Sequence, residues 1–184
     1  QPMTLSWAGE HYTIVYNGEL YNTNELQSKL KTLGHSFTGH SDTETLLHAY
    51  VQWHEETLSY LNGIYAFAVW HHRERKLFMA RDRIGVKPLF YKQHDGGFVF
   101  ASEIKSMLAH PHFKRKVNKD ALLPYLTFQY SATEETFFEG VYKLPPAHFF
   151  EYENGELIKE RYWDVNFDSK EGTFEKNKKL LDEC

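Results

Sequence analysis

Between Ile64 and Ala101 four short runs rich in apolar, aromatic and β-branched residues, Ile64 to Trp70, Lys76 to Arg81, Leu89 to Lys92 and Phe98 to Ala101, read as strands. Successive side chains of a strand go to opposite faces, so each run would divide its residues with a period of two. The runs are short, and connections such as Asp95-Gly96-Gly97 are of the hairpin kind. The spacing therefore predicts antiparallel pairing in one sheet or in two. A last pair, His148 to Tyr152 and Leu157 to Tyr162, is joined by Asn154-Gly155, a two-residue hairpin signal.

Ahead of these strands the period changes. A strand at His11 to Tyr16 stops at Asn17-Gly18, and a helix follows from Asn22, with Glu25 in its first turn, Leu26, Leu30 and Leu33 on one face and Gly34 beyond its end. A second helix opens on Ser41 and Glu44 as a capping-box pair. It buries Leu46, Leu47, Tyr50, Val51 and Trp53 and fades at His54-Glu55. Short helices are expected at Glu103 to Ala109, capped by Ser102, and at Asn118 to Phe128. Mixed strands and flanking helices, with no internal repeat, point to an α+β fold or a layered α/β/β/α arrangement. Residues 164–184 are polar and break the pattern, as a linker leading into a further domain would.

With 184 residues, 41% of them hydrophobic, the chain can bury one domain's core. A formal charge of -4 without a basic stripe argues against a nucleic-acid partner. Its apolar runs are too short for a membrane helix. One cysteine, Cys184, allows no internal disulfide and suits a reducing compartment, so cytoplasm is expected. None of the eleven histidines falls in a metal-ligand spacing, and no metal site is expected.

Four segments could carry chemistry. Asn17-Gly18 ends a strand with no partner strand following, so the hairpin explanation fails there; a side-chain amide beside a glycine N–H makes two donors of the kind that stabilise an oxyanion. Asp42, in the first turn of a helix, is explained by helix design and is also placed to take a ligand ammonium. Arg81, Asp82 and Lys87 crowd a turn between apolar strands and read as a buried ion-pair brace. Ser102 is explained by capping alone.

In order, Asn17 to Asn22, Ser41 to Glu44, Leu61 to Ala68, Ala80 to Tyr91, Phe100 to Lys105, Leu144-Pro145-Pro146 and Arg161-Tyr162-Trp163 resemble the class II glutamine amidotransferase domain of bacterial-type asparagine synthetases. The likeness runs from Gln1 to about Trp163, which sets the expected domain at 1–163. The Asn-Gly and Ser-Asp pieces alone would also admit amidophosphoribosyltransferase or glucosamine-phosphate synthase. The segments from Ala80 onward favour asparagine synthetase.

The resemblance implies an N-terminal-nucleophile hydrolase fold, an αββα four-layer sandwich of two antiparallel sheets. It implies a cysteine whose thiolate attacks the side-chain amide of glutamine, with its own α-amino group as base. Asn17 and Gly18 would form the oxyanion hole, with Glu19 beside the bound glutamine and Asp42 holding its α-amino group. Residue 1 is Gln, so the cysteine and a carboxylate-binding arginine of the family are missing from the 184 residues, and Cys184 lies on the wrong side of the last strand to replace it. As it stands, the polypeptide is expected to hydrolyse glutamine poorly, and a non-catalytic docking or regulatory module is the competing reading. No cofactor is expected in these residues. ATP and Mg2+ are expected for a C-terminal synthetase domain of the same chain, which would take the ammonia, and a homodimer is a candidate assembly.

Overall fold

A computed structural model describes residues 2–94, 97–111, 113–131 and 133–166. The expected linker over 164–184 falls almost wholly outside them, as does the centre of the Asp95-Gly96-Gly97 connection. The chain opens with a hairpin, β1 (Met3–Trp7) and β2 (Glu10–Leu20), followed by α1 (Thr23–Thr32), α2 (Asp42–Trp53), a 3-10 turn at His54–Glu56 and α3 (Thr57–Tyr60). Then come β3 (Gly63–His71), β4 (Lys76–Arg81), β5 (Phe90–His94), β6 (Gly97–Ala101), α4 (Ile104–Met107), α5 (Leu122–Phe128), β7 (Tyr142–Lys143), β8 (His148–Glu153) and β9 (Glu156–Arg161). Among the described residues no helix is long and apolar enough to cross a membrane.

The strands form two antiparallel sheets, one ordered β1-β2-β3-β4-β8-β9 and a smaller one ordered β6-β5-β7. Alternation along the central strands builds two cores. Ile14 and Tyr16 of β2, Tyr65, Phe67 and Val69 of β3 and Phe78 of β4 face the helices and pack with Leu46, Leu47 and Tyr50 of α2. Ala66 and Ala68 of β3, Leu77 and Met79 of β4 and Phe150 of β8 face the smaller sheet and meet Leu89 and Tyr91. Each large side chain buried in this way contributes about 1.5–3 kcal/mol. The smaller sheet is flanked in turn by α4, whose Met107 is buried, which completes an α+β sandwich of helices, sheet, sheet and helices.

Several expected boundaries move. The strand read as His11 to Tyr16 runs on through Asn17-Gly18 to Leu20, because β3 pairs with it from Tyr12 to Leu20. β1 precedes it, reached by a tight turn in which Ala8 (φ 50°) and Gly9 (φ 83°) are both left-handed. Asn22 precedes α1 without a side-chain cap; its Nδ2 donates to the Tyr60 carbonyl (2.9 Å) and its Oδ1 accepts from the Asn62 N–H (3.1 Å). The capping box at α2 is half formed. Ser41 Oγ accepts from the Thr43 N–H (3.2 Å), but Glu44 turns outward from the helix to accept from Thr38 N–H (2.7 Å) and Gly39 N–H (3.0 Å). The helix expected from Asn118 begins at Leu122, since Asn118 Oδ1 accepts from the Asp120 N–H (3.1 Å) in a local turn.

Candidate active site

Asn17 and Gly18 sit inside β2, opposite Ala66 and Tyr65 of β3. Tyr65 turns both of its backbone groups toward β4, its N–H donating to Asp82 Oδ2 (3.3 Å) and its carbonyl accepting from the Asp82 N–H (2.8 Å). Gly18 and Tyr65 therefore form a non-hydrogen-bonded pair, and the Gly18 N–H points away from β3. On that side β1 pairs with β2 only as far as Ile14. The strands also approach closely here, for a Cβ on Gly18 would lie 2.3 Å from the Ile64 carbonyl oxygen and 2.8 Å from the Tyr65 Cα. Glycine is required at 18 by its neighbour's backbone, whatever else the position does.

Asn17, by alternation, presents its carboxamide on the face turned to the smaller sheet, where Nδ2 donates to Ser102 Oγ at 3.1 Å. The two residues line a cavity of about 380 Å³ with Val15, Ala66, Phe100 and Ala101. It exists because β3 places small alanines on this face. Glu19, two residues on, is exposed on the same face.

Asp42 lies across the strand, at the start of α2, where the hydroxyl of Tyr16 donates to its Oδ2 (3.0 Å). Burial, reinforced by the Asp42 carboxylate, pushes the Tyr16 phenol far above its ordinary value, so it stays protonated and can only donate to that carboxylate. Asn17 and Asp42 are brought to the same stretch of β2, but on opposite faces. The structure does not put their side chains in contact.

The charged turn after β4 is a brace, though not one of ion pairs. Arg81, buried, donates from Nε to the Lys87 carbonyl (2.6 Å) and from its terminal nitrogens to the carbonyls of Leu144 (2.7 Å) and Gly85 (2.6 Å). Asp82, also buried, accepts from the N–H groups of Val86 and Lys87 (both 2.9 Å) and from Tyr65. Lys87 joins through its backbone, because carbonyls and N–H groups without other partners must be satisfied where water is excluded. Burial lowers the Arg81 guanidinium below its ordinary value while nearby Asp82 opposes the shift. Tyr162 donates its hydroxyl to the Arg81 carbonyl (2.7 Å), so Tyr65 must donate to Tyr162 (2.9 Å). Burial pushes Tyr65 up to about 12 and Tyr162 higher still, leaving both protonated. The segments around 81–88, 144–147 and 161–163, far apart in sequence, meet here.

Ser102 and Tyr16 are the site residues that sequence reasoning passed over. Ser102 was fully explained as a helix cap, but the residue before α4 is Glu103, which has no side-chain cap bond, and the Ser102 hydroxyl is on Asn17. Tyr16 looked like one apolar strand residue among others. No local pattern encodes either contact, because each joins segments distant in sequence. Among the described residues no three His, Cys, Asp or Glu side chains gather as a metal site would require.

Residues 1–163 match the family model described as a glutamine amidotransferase domain. The chain is 44% identical over 176 residues to asparagine synthetase [glutamine-hydrolyzing] 3 of Bacillus subtilis, covering 95% of this chain and 29% of that protein. It is 37% identical to asparagine synthetase [glutamine-hydrolyzing] 1 of the same organism, over 89% of this chain and 26% of that protein. It spans under a third of the length of either relative. Among solved structures, glutamine phosphoribosylpyrophosphate amidotransferase from B. subtilis superposes with a TM-score of 0.60 at 22% identity, over 89% of this chain and 32% of that one, a likeness of fold.

Proposed function

The chain belongs to the glutamine amidotransferase domain family, and from that membership we propose that it is the glutaminase part of a longer asparagine-forming ligase. The observation that carries the reading is the pair of donors on β2. The Gly18 N–H points away from β3, and the neighbouring Asn17 carboxamide lines a cavity between the sheets.

In this reading a cysteine from sequence preceding Gln1 in the complete protein attacks the side-chain amide carbon of glutamine. As the C–S bond forms, negative charge collects on the amide oxygen, and donors already in place need not reorganise to meet it. Asn17 and Gly18 supply those donors. Asp42 takes the substrate's α-ammonium and Glu19 lies beside the bound glutamine. Collapse expels ammonia and leaves a thioester, which water converts to glutamate. Arg81, Asp82 and the backbone of Lys87 hold the strands beneath the site. The ammonia goes to a synthetase domain of the same polypeptide, which would use ATP and Mg2+ to activate aspartate. That the curated relatives are more than three times as long supports such a domain. A cytoplasmic setting fits the single cysteine.

The test is to supply the complete protein with glutamine labelled with 15N at the amide, aspartate, ATP and Mg2+. Labelled asparagine and glutamate in equal amounts are expected. Glutamate with the label in a different acceptor would retain the glutaminase and overturn asparagine as product; no glutamate at all would leave the docking-module reading standing.

A further inference from the structure

We propose that Ser102 is a positioning residue for glutamine hydrolysis, fixing the plane of the Asn17 carboxamide; this rests on the glutaminase reading above. Ser102 follows β6 in the smaller sheet, and Asn17 is in β2 of the larger one. Their hydrogen bond, Asn17 Nδ2 to Ser102 Oγ at 3.1 Å, spans the gap between the sheets. Both residues line the same cavity.

An asparagine amide turns easily about its last torsion, and its oxygen and nitrogen ends are nearly alike in shape. Left to itself, Asn17 would spend part of its time presenting an oxygen, or neither N–H, to the developing oxyanion. The amide group is planar with two N–H bonds in fixed directions, so holding one on Ser102 fixes the direction of the other. That second N–H is the one available to substrate. Helix capping does not account for the hydroxyl, since Glu103 holds the position before α4 and makes no side-chain cap bond. The hydroxyl is thus an orienting group delivered from the opposite sheet, and the spacing of the sheets sets the aim of the donor.

The experiment measures glutamine hydrolysis by the complete protein for Ser102→Ala, Ser102→Thr, Asn17→Ala and the Asn17→Ala/Ser102→Ala pair, with thermal unfolding recorded for each. Ser102→Ala should lower kcat roughly five- to tenfold with KM nearly unchanged, as loss of one hydrogen bond to a transition-state group would. Ser102→Thr keeps the hydroxyl and should restore most of the rate. In the Asn17→Ala background, Ser102→Ala should have no further effect on kcat. Wild-type kcat in Ser102→Ala, or an equal proportional loss in both backgrounds, overturns the inference, the latter showing that Ser102 merely supports the fold. If Ser102→Ala does not fold, Ser102→Cys, with a weakly accepting thiol of similar size, carries the same comparison. Failure of the underlying reading shows separately, as wild-type turnover in Asn17→Ala.

Discussion

Asparagine followed by glycine occurs at 17–18, 62–63 and 154–155, and the first and last of these pairs do opposite things. Asn154 (φ 52°) and Gly155 (φ 89°) are both left-handed and turn β8 back onto β9, and a Cβ on Gly155 would meet nothing within 4 Å. Asn17 and Gly18 carry β2 straight on, and a Cβ on Gly18 would collide with the backbone of β3. Gly63 answers it from the other strand, with its own Cβ position 2.3 Å from the Glu19 carbonyl oxygen. One pair uses glycine for backbone handedness and the other for nearness. What separates them is the partner. Residues 156–161 can pair directly with 148–153, whereas Asn17 and Gly18 meet β3 only after three α-helices.

Exchanging the asparagines gives the sharpest contrast. Asn17→Ala should reduce kcat for glutamine hydrolysis in the complete protein by roughly 10²–10³-fold, about 2.7–4 kcal/mol in the barrier, through loss of an oxyanion donor. Asn154→Ala should leave kcat untouched and lower stability by about 1–2 kcal/mol, the cost of a left-handed backbone for a residue with a Cβ. Equal turnover in the two variants would erase the distinction. Exchanging the glycines gives a smaller effect, read by thermal or denaturant unfolding. Gly18→Ala should cost about 1–3 kcal/mol or more, since the colliding atoms are backbone and cannot swing aside. Gly155→Ala should cost about 1 kcal/mol from strain alone. A Gly18→Ala protein as stable as wild type would mean that the strands do not approach as described.

The same contrast explains how far the sequence could be read. β4 was legible to the residue because Lys76 to Arg81 alternates between two cores, and β8 and β9 because their turn is local. β1 was not, since its turn is Ala8-Gly9, a weaker signal than Asn-Gly. β2 was cut short at a dipeptide that usually ends strands, and only the ladder to β3 shows that it continues. The charges at Arg81 and Asp82 announced a brace, but their partners are carbonyls and N–H groups of 65, 85–87 and 144, which carry no side-chain signature. Asn17, Gly18 and Asp42 were visible as residue types. Their division between the two faces of β2 depends on strand continuity, and so does the Ser102 contact.

That division supplies the smallest effect and the most direct check on continuity. If β2 runs unbroken through 16–18, Tyr16 and Asn17 must leave it on opposite faces, one reaching Asp42 near the helices and the other Ser102 near the second sheet. Tyr16→Phe removes only the hydroxyl that holds the Asp42 carboxylate. It should raise KM for glutamine roughly fivefold, about 1 kcal/mol, and leave kcat nearly unchanged, because the α-ammonium is bound alike in ground and transition states. In an Asp42→Asn background the same change should add little, since the carboxylate it steadies is gone. A turn at 17–18 would place Tyr16 and Asn17 in one environment instead. Tyr16→Phe would then lower kcat along with Asn17→Ala, and additive losses in the Asp42→Asn background would show that Tyr16 acts on the site by another route.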